Sequence, residues 1–212
     1  MSTPSRDVDV KTMLQEVAAH PVPEYARKFY YCFGGLTFLT FVIQVLTGIL
    51  LAVYYKPTPE AAYESVKFIT DEVALGAVVR SVHRICSNLM VVLVILHMLR
   101  VIYTGSYKRP RQFNWVVGVT LLLLTLGFCF TGYLLIWDQV GYWAAVIGTQ
   151  IMGSVPVVGD TLLNLAQAGS KVSGYTLTRF YALHIAVLPV VTIVFLVIHF
   201  IMVRKQGISG GL

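Results

Sequence analysis

The sequence predicts an all-α integral membrane protein built as a four-helix bundle, and three observations predict it. Hydrophobic residues make up 57% of the 212-residue chain and charged residues only 12%. A soluble domain carries about 25% charged residues, so this composition suits lipid as the main solvent. Four apolar runs each approach or exceed the roughly 20 residues that a helix needs to cross a bilayer. The formal charge of +6 forms no single patch for nucleic acid, and no nucleic-acid partner is expected. Lys and Arg instead sit in short groups at the ends of apolar runs, as in proteins whose orientation in lipid is set by charge.

Taken in order, residues 1–28 open with the polar, mixed-charge "MSTPSRDVDVKTMLQEV", which lacks the apolar centre of a signal peptide. They read as an amphipathic segment on the membrane surface, and residues 29–212 as the membrane domain. The first span is expected over Phe29 to Tyr55 and the second over Val79 to Tyr103. The third runs over Trp115 to Trp137 and the fourth over Phe180 to Val203. A connector with Pro57 and Pro59 joins the first two, and the basic turn "GSYKRPRQFN" joins the second to the third. Residues 138–178, with "VPVVGD" and "AGSKVSG", are too long for a bare loop and predict short surface helices. The three cysteines are too few and scattered for a disulfide framework, and there is no Cys-x-x-Cys pair.

If the spans alternate, Arg27, Lys28, Lys108, Arg109, Arg111, Arg204 and Lys205 fall on one side. Glu60, Glu64, Asp71, Glu72, Asp138 and Asp160 fall on the other. Both termini are then expected on the electrically negative side, cytoplasmic or stromal. The second and fourth spans both run from the positive side to the negative side.

Those two spans carry four of the five histidines. His83 and His97 are fourteen residues apart in "SVHRICSNLMVVLVILHMLR"; His184 and His199 are fifteen apart in "LHIAVLPVVTIVFLVIH". On an α-helix fourteen residues fall about 40° short of four turns and fifteen overshoot by about 60°, with rises of about 21 and 22.5 Å. Each pair therefore lies on one face of its helix, and His83 meets His184 at one depth as His97 meets His199 at another. A lone histidine in a span reads as a hydrogen-bonding group or proton relay. Two matched pairs across a bundle read as axial ligands of two stacked hemes. His20 lies outside the spans and reads as a surface residue.

Gly34 and Gly48 on the first span, and Gly118 and Gly132 on the third, repeat the fourteen-residue interval on the helices without histidines. Small residues in membrane helices admit a close neighbour, and this spacing predicts porphyrins pressed against those backbones. Heme propionates need cationic partners. Arg80, Arg84 and Arg179 flank the positive-side pair, and Lys28, Arg100, Arg111, Arg204 and Lys205 lie near the other. Arg80, Arg111 and Arg204 are the strongest propionate candidates.

With "RSVHR", "GYLLIWDQVGYW", "TLTRFYALH" and "MVRKQGISGGL" in this order, the chain resembles the cytochrome b6 family from about residue 25 to its C-terminus. The fifteen-residue interval is that family's variant, where longer mitochondrial-type cytochromes b have fourteen and four further helices. The resemblance implies two b hemes and, at Cys32 in "FYYCFGG", a third, c-type heme held by one thioether bond. It implies a quinol:cytochrome c or plastocyanin reductase coupled to proton translocation, in a thylakoid or bacterial plasma membrane. Quinol and quinone are its substrates, and chlorophyll and carotenoid belong to some assembled complexes of this kind. Gly141, Tyr142 and Trp143 are implied to wall the quinol pocket.

Implied partners are a small subunit bearing the Pro-Glu-Trp-Tyr motif that this sequence lacks, a Rieske iron–sulfur protein, and cytochrome f or another c-type cytochrome. Small hydrophobic subunits, lipid and a second copy of the complex complete the set. Departures from the family pattern are Ile136 and Gly211 in place of prolines, and Val17 and Pro21 where an Asp and a Lys are usual. They favour a bacterial menaquinol member. The competing readings are a diheme anchor of a hydrogenase or formate dehydrogenase, and a heme-free, proton-relaying transporter.

Overall fold

The computed structural model describes residues 23–209. Val17, His20, Pro21 and Gly211, and most of the surface segment expected over residues 1–28, lie outside the described residues. Among the described residues every regular element is helical. A 3-10 turn, Phe29–Cys32, leads into α1 (Phe33–Ala52), followed by α2 (Ala62–Asp71), α3 (Gly76–Tyr103) and α4 (Gln112–Leu134). Then come α5 (Gln139–Gly153), α6 (Gly159–Gln167), α7 (Gly174–Ala182) and α8 (Leu188–Gln206). Four stretches, Phe29–Ala52, Gly76–Tyr103, Gln112–Leu134 and Gly174–Gln206, are long and apolar enough to span a membrane.

The spans form two pairs, α1 along α3 and α4 along α8. At one end, loop-rich, a buried polar chain ties the connecting helices together. The Thr176 hydroxyl donates to the Gln167 carbonyl at 2.8 Å, the Gln167 amide donates to Thr149 Oγ1 at 2.7 Å, and the Thr149 hydroxyl donates to the Ala145 carbonyl at 2.7 Å. Each buried polar group thereby has a partner, which such groups require. Leu134, Ala145, Val172 and Phe180 form the apolar cluster beside it. At the basic end the chain closes differently. The hydroxyls of Tyr25 and Tyr31 donate to the carbonyls of Ile208 and Ser209 at 2.7 and 3.3 Å, and Arg111 Nη2 donates to the Gln206 carbonyl at 2.8 Å.

Several bounds differ from those the sequence predicts. The first span ends at Ala52, not Tyr55, whose hydroxyl instead donates to the Leu135 carbonyl at 2.7 Å. Burial, and secondarily Tyr181, raises the Tyr55 phenol above its ordinary value, so it remains a donor. The third span ends at Leu134, not Trp137, because Trp137 takes a left-handed φ of 54° and Asp138 caps α5 by accepting from Gly141 N at 2.7 Å. Apolar content continues through "LLIW", so the carboxylate cap rather than hydropathy marks the boundary. The proline-containing connector holds α2, which buries Ala62, Ser65 and Ile69 along one face. The surface helices expected over residues 138–178 are α5 and α6.

The fourth span starts early, at Gly174 behind a capping box of Ser173 and Thr176, and is not uniformly α-helical. Leu183–Val187 forms a π turn in which the Leu188 N–H reaches back to the Leu183 carbonyl. Pro189 follows. It has no N–H for the Ile185 carbonyl and its ring would crowd that carbonyl in an α-helix, a conflict the wider turn relieves.

The corner between α2 and α3 is the tightest in the fold. Leu75 takes a φ of 61°, and a Cβ on Gly76 would run into the carbonyl of Ile69. Gly76→Ala should therefore destabilise the protein by about 3 kcal/mol, the upper range for overpacking, read as a lowered midpoint of thermal unfolding in detergent.

Candidate cofactor site

The four histidines of α3 and the fourth span face the seam between the two helix pairs. The ring centres of His97 and His199 are 6.4 Å apart with planes at 80°. A metal ion held end-on by two imidazoles at bonds of about 2 Å sets their ring centres about 6 Å apart, so this pair fits one iron between them. At the other level His83 and His184 face Gly48 and Gly132.

The π turn accounts for the match in register. It widens the helix by one residue, so the fifteen residues from His184 to His199 turn about as far as fourteen α-helical ones. The plain α-helical expectation of a 60° overshoot is corrected accordingly: both histidine pairs fall about 40° short of four turns.

Each glycine of the fourteen-residue repeat faces one imidazole. A Cβ built on Gly34 would lie 3.0 Å from His97 Cε1, on Gly48 3.4 Å from His83 Cε1, on Gly118 3.8 Å from His199 Cε1 and on Gly132 2.7 Å from His184 Cε1. Among the described atoms, the nearest body in each notch is the edge of a histidine ring.

Two residues the sequence reading missed complete the loop-rich pair. Thr47 Oγ1 is 2.8 Å from His83 Nδ1, and Thr131 Oγ1 is 2.8 Å from His184 Nδ1. Both precede a notch glycine, in "VLTGIL" and "CFTGYL", and that recurrence is the signal that could have found them.

At the basic end, Arg100 stacks its guanidinium 4.0 Å over the Tyr31 ring. Arg100 Nε, Arg111 Nε, Asn114 Oδ1, His199 Nδ1 and Gln206 Oε1 are buried there without partners. The two orphaned guanidinium donors, Arg100 Nε and Arg111 Nε, fit an anionic group such as a propionate; the Asn114 and Gln206 oxygens are acceptors and need a donor instead. Of the other arginines, Arg80 donates to Thr70 Oγ1 at 3.2 Å, while Arg84 and Arg204 are exposed. Arg179 donates to the carbonyls of Asn164 and Leu165, which places it in the loop scaffold.

Cys32 is exposed and ends the turn two residues before Gly34, at the depth of His97. Gly141 is buried under the Tyr133 carbonyl, and Tyr142 packs edge-on between Trp137 and Trp143. Trp143 is exposed, and with Val140, Ala144 and Ile147 it lines a shallow apolar groove on α5.

The model of the family described as Cytochrome b/b6/petB matches residues 17–207. The chain is 57% identical over 195 residues to cytochrome b6 of Heliobacterium mobile, covering 92% of each. It is 47% identical over 205 residues to cytochrome b6 of Gloeobacter violaceus, covering 97% of this chain and 95% of that one. Among solved structures, a chain of a hyperthermophilic respiratory Complex III superposes with a TM-score of 0.84 at 31% identity. That match covers 93% of this chain and 54% of the longer one.

The notch distances order the consequences of filling them. Alanine at Gly132 or Gly34 should cost the most bound heme, alanine at Gly48 less, and alanine at Gly118 least, measured as b-type absorbance per purified chain. Length changes in the π turn should be one-sided. Deleting Ala186 leaves a fourteen-residue interval that a plain α-helix keeps in register. Inserting an alanine after it should abolish heme binding at one level, read in the same assay.

Proposed function

The chain belongs to the cytochrome b/b6 family, and from that premise we propose that it is the diheme subunit of a b6f-type quinol-oxidising complex. Membership makes it an integral membrane electron-transfer subunit of a multisubunit assembly; the individual residue roles are the proposal. The hydrogenase-type anchor and the heme-free transporter fall away with it. The observation that carries the reading is the one-to-one match of four imidazole edges to four glycine notches. A proton relay has no need of that arrangement.

In this reading His83 and His184 hold the heme at the loop-rich end, on the electrically positive side. His97 and His199 hold the heme at the basic end, on the negative side. When bound, the two hemes supply one-electron carriers stacked across the membrane, from quinol oxidised at one face to quinone reduced at the other. The chain's own groups hold and orient them. Arg111 and Arg100, with orphaned Nε donors, bind the basic-end propionates, and Arg80 serves the loop-rich end. The exposed Arg84 and Arg204 are better placed for lipid headgroups.

Gly141 lets α5 start tightly against Tyr133, and Tyr142 and Trp143 form one wall of the quinol pocket. The other wall belongs to a separate subunit bearing the Pro-Glu-Trp-Tyr motif, which this sequence lacks. A Rieske-type partner takes the second electron toward a c-type cytochrome or plastocyanin. Cys32, exposed at the basic end, anchors a c-type heme through one thioether bond.

The purified protein should give a reduced-minus-oxidised b-type spectrum equivalent to two hemes per chain. His97→Ala or His199→Ala should halve it, and its absence in the unsubstituted protein would falsify the reading. Heme staining after denaturing electrophoresis should mark the chain, and Cys32→Ser should remove the stain; a stained mutant places the attachment elsewhere.

A further inference from the structure

The basic turn between α3 and α4 divides its cations. Arg111 turns into the bundle and donates to the Gln206 carbonyl at 2.8 Å, whereas Lys108 and Arg109 are exposed. With Tyr107, Gln112, Trp115 and Val116 these two line an open pocket of about 570 Å³. No carboxylate lines it. Among the described residues neither cation is in an ion pair, the pair found being Lys67 with Glu64 on α2.

Backbone hydrogen bonds fix the turn. The N–H groups of Ser106, Lys108 and Arg111 donate to the carbonyls of Val101, Gly105 and Lys108 at 3.0, 3.1 and 2.9 Å. The buried Ser106 hydroxyl shares a 2.6 Å hydrogen bond with that of Thr104. The rings of Tyr107 and Trp115, with centres 5.7 Å apart, join the turn to α4. Gln112 opens α4, whose start has no side-chain cap. Its first-turn N–H groups and the positive end of its dipole add to the field of the two cations.

Polarity falls along the pocket. Lys108 and Arg109 precede α4, and the Tyr107–Trp115 pair follows, as aromatic residues do at a membrane interface. Val116, 58% exposed, lies about 6 Å beyond Gln112 along the helix. Because α4 is one of the membrane spans, this order runs from headgroup level toward hydrocarbon. A free anion needs only the cations. The aromatic and aliphatic wall calls for an amphiphile whose chains cover it.

We propose that this pocket binds one anionic phospholipid, its phosphate held by Lys108 and Arg109 and its acyl chains lying along Trp115 and Val116. The Arg109 guanidinium suits two phosphate oxygens at once, and the Lys108 ammonium adds a point charge. The site uses only this turn and its place in the membrane, so it stands apart from the heme assignments.

The test is native mass spectrometry of the intact complex, released from detergent and titrated with phosphatidylglycerol, phosphatidylcholine or inorganic phosphate. Phosphatidylglycerol should bind in preference to phosphatidylcholine, and inorganic phosphate should not displace it. Lys108→Gln and Arg109→Gln should each weaken phosphatidylglycerol binding about fivefold, and the double variant about thirtyfold, from the usual attraction of one basic side chain to anionic lipid. Lys205→Gln, at the same end but outside the pocket, should leave it unchanged. A double variant that binds phosphatidylglycerol as the unsubstituted complex does overturns the inference, as does equal binding of the two lipids. Displacement by phosphate makes the ligand a free anion and overturns the lipid assignment.

Should the double variant fail to assemble, amine acetylation of the unsubstituted complex in nanodiscs supplies the second measurement. Changing phosphatidylcholine for phosphatidylglycerol should slow acetylation of Lys108 more than that of Lys205. Equal slowing at the two lysines reports a general surface effect and sinks the proposal.

Discussion

Two of the four imidazoles, those of His97 and His184, reach the seam of this bundle where a side chain on the neighbouring helix would crowd them, at Gly34 and Gly132, and the other two face Gly48 and Gly118 at ordinary contact distance. That steric condition organises the structure. The histidines project from α3 and the fourth span, and the helices packed beside them, α1 and α4, answer each ring with a glycine. A Cβ at any of the four positions would lie within van der Waals distance of a ring carbon, and at Gly132 well inside it. Glycine weakens a helix interior by roughly 0.5–1 kcal/mol relative to alanine. Four such positions at matched spacing are accepted because they place four ring nitrogens at two depths.

The same condition explains why the fourth span departs from α geometry. Its histidines are one residue further apart than those of α3, and in a uniform helix the difference is about 100° of rotation. The π turn at Leu183–Val187 removes that difference next to His184, where Pro189 already makes a regular α turn unfavourable. Sequence and geometry meet at one local defect. The extra residue, the proline and the widened turn are three aspects of one solution.

Much of this was legible in the sequence because helical periodicity converts spacing directly into direction. Paired histidines and paired glycines announce their faces without any knowledge of packing. Thr47 and Thr131 stayed hidden for a physical reason. A threonine in a membrane helix ordinarily bonds its own i−4 carbonyl, and these do so while also lying 2.8 Å from a histidine Nδ1 on another helix. Helix ends were also poorly legible: "LLIW" is apolar, but the left-handed Trp137 and the Asp138 cap turn the chain there. The orphaned groups at the basic end, Asn114 and Gln206 among them, depend on three-dimensional burial that no linear pattern encodes.

The two ends of the bundle are finished to different degrees, and the difference has an electrostatic cause. At the loop-rich end the buried threonines and Gln167 satisfy one another. At the basic end Arg100 and Arg111 bring guanidinium groups against aromatic and helical surfaces, with no carboxylate beside them among the described residues. Among the described residues the ion pair found is Lys67 with Glu64, exposed on α2 at the opposite end. A partly buried cation without a counter-charge carries a desolvation cost of several kcal/mol, and stacking on Tyr31 offsets only part of it. An anion bound between Arg100 and Arg111 would remove that cost, and the stability of this end would then be coupled to its ligand. Heme propionates are the anions that the proposed function would supply there.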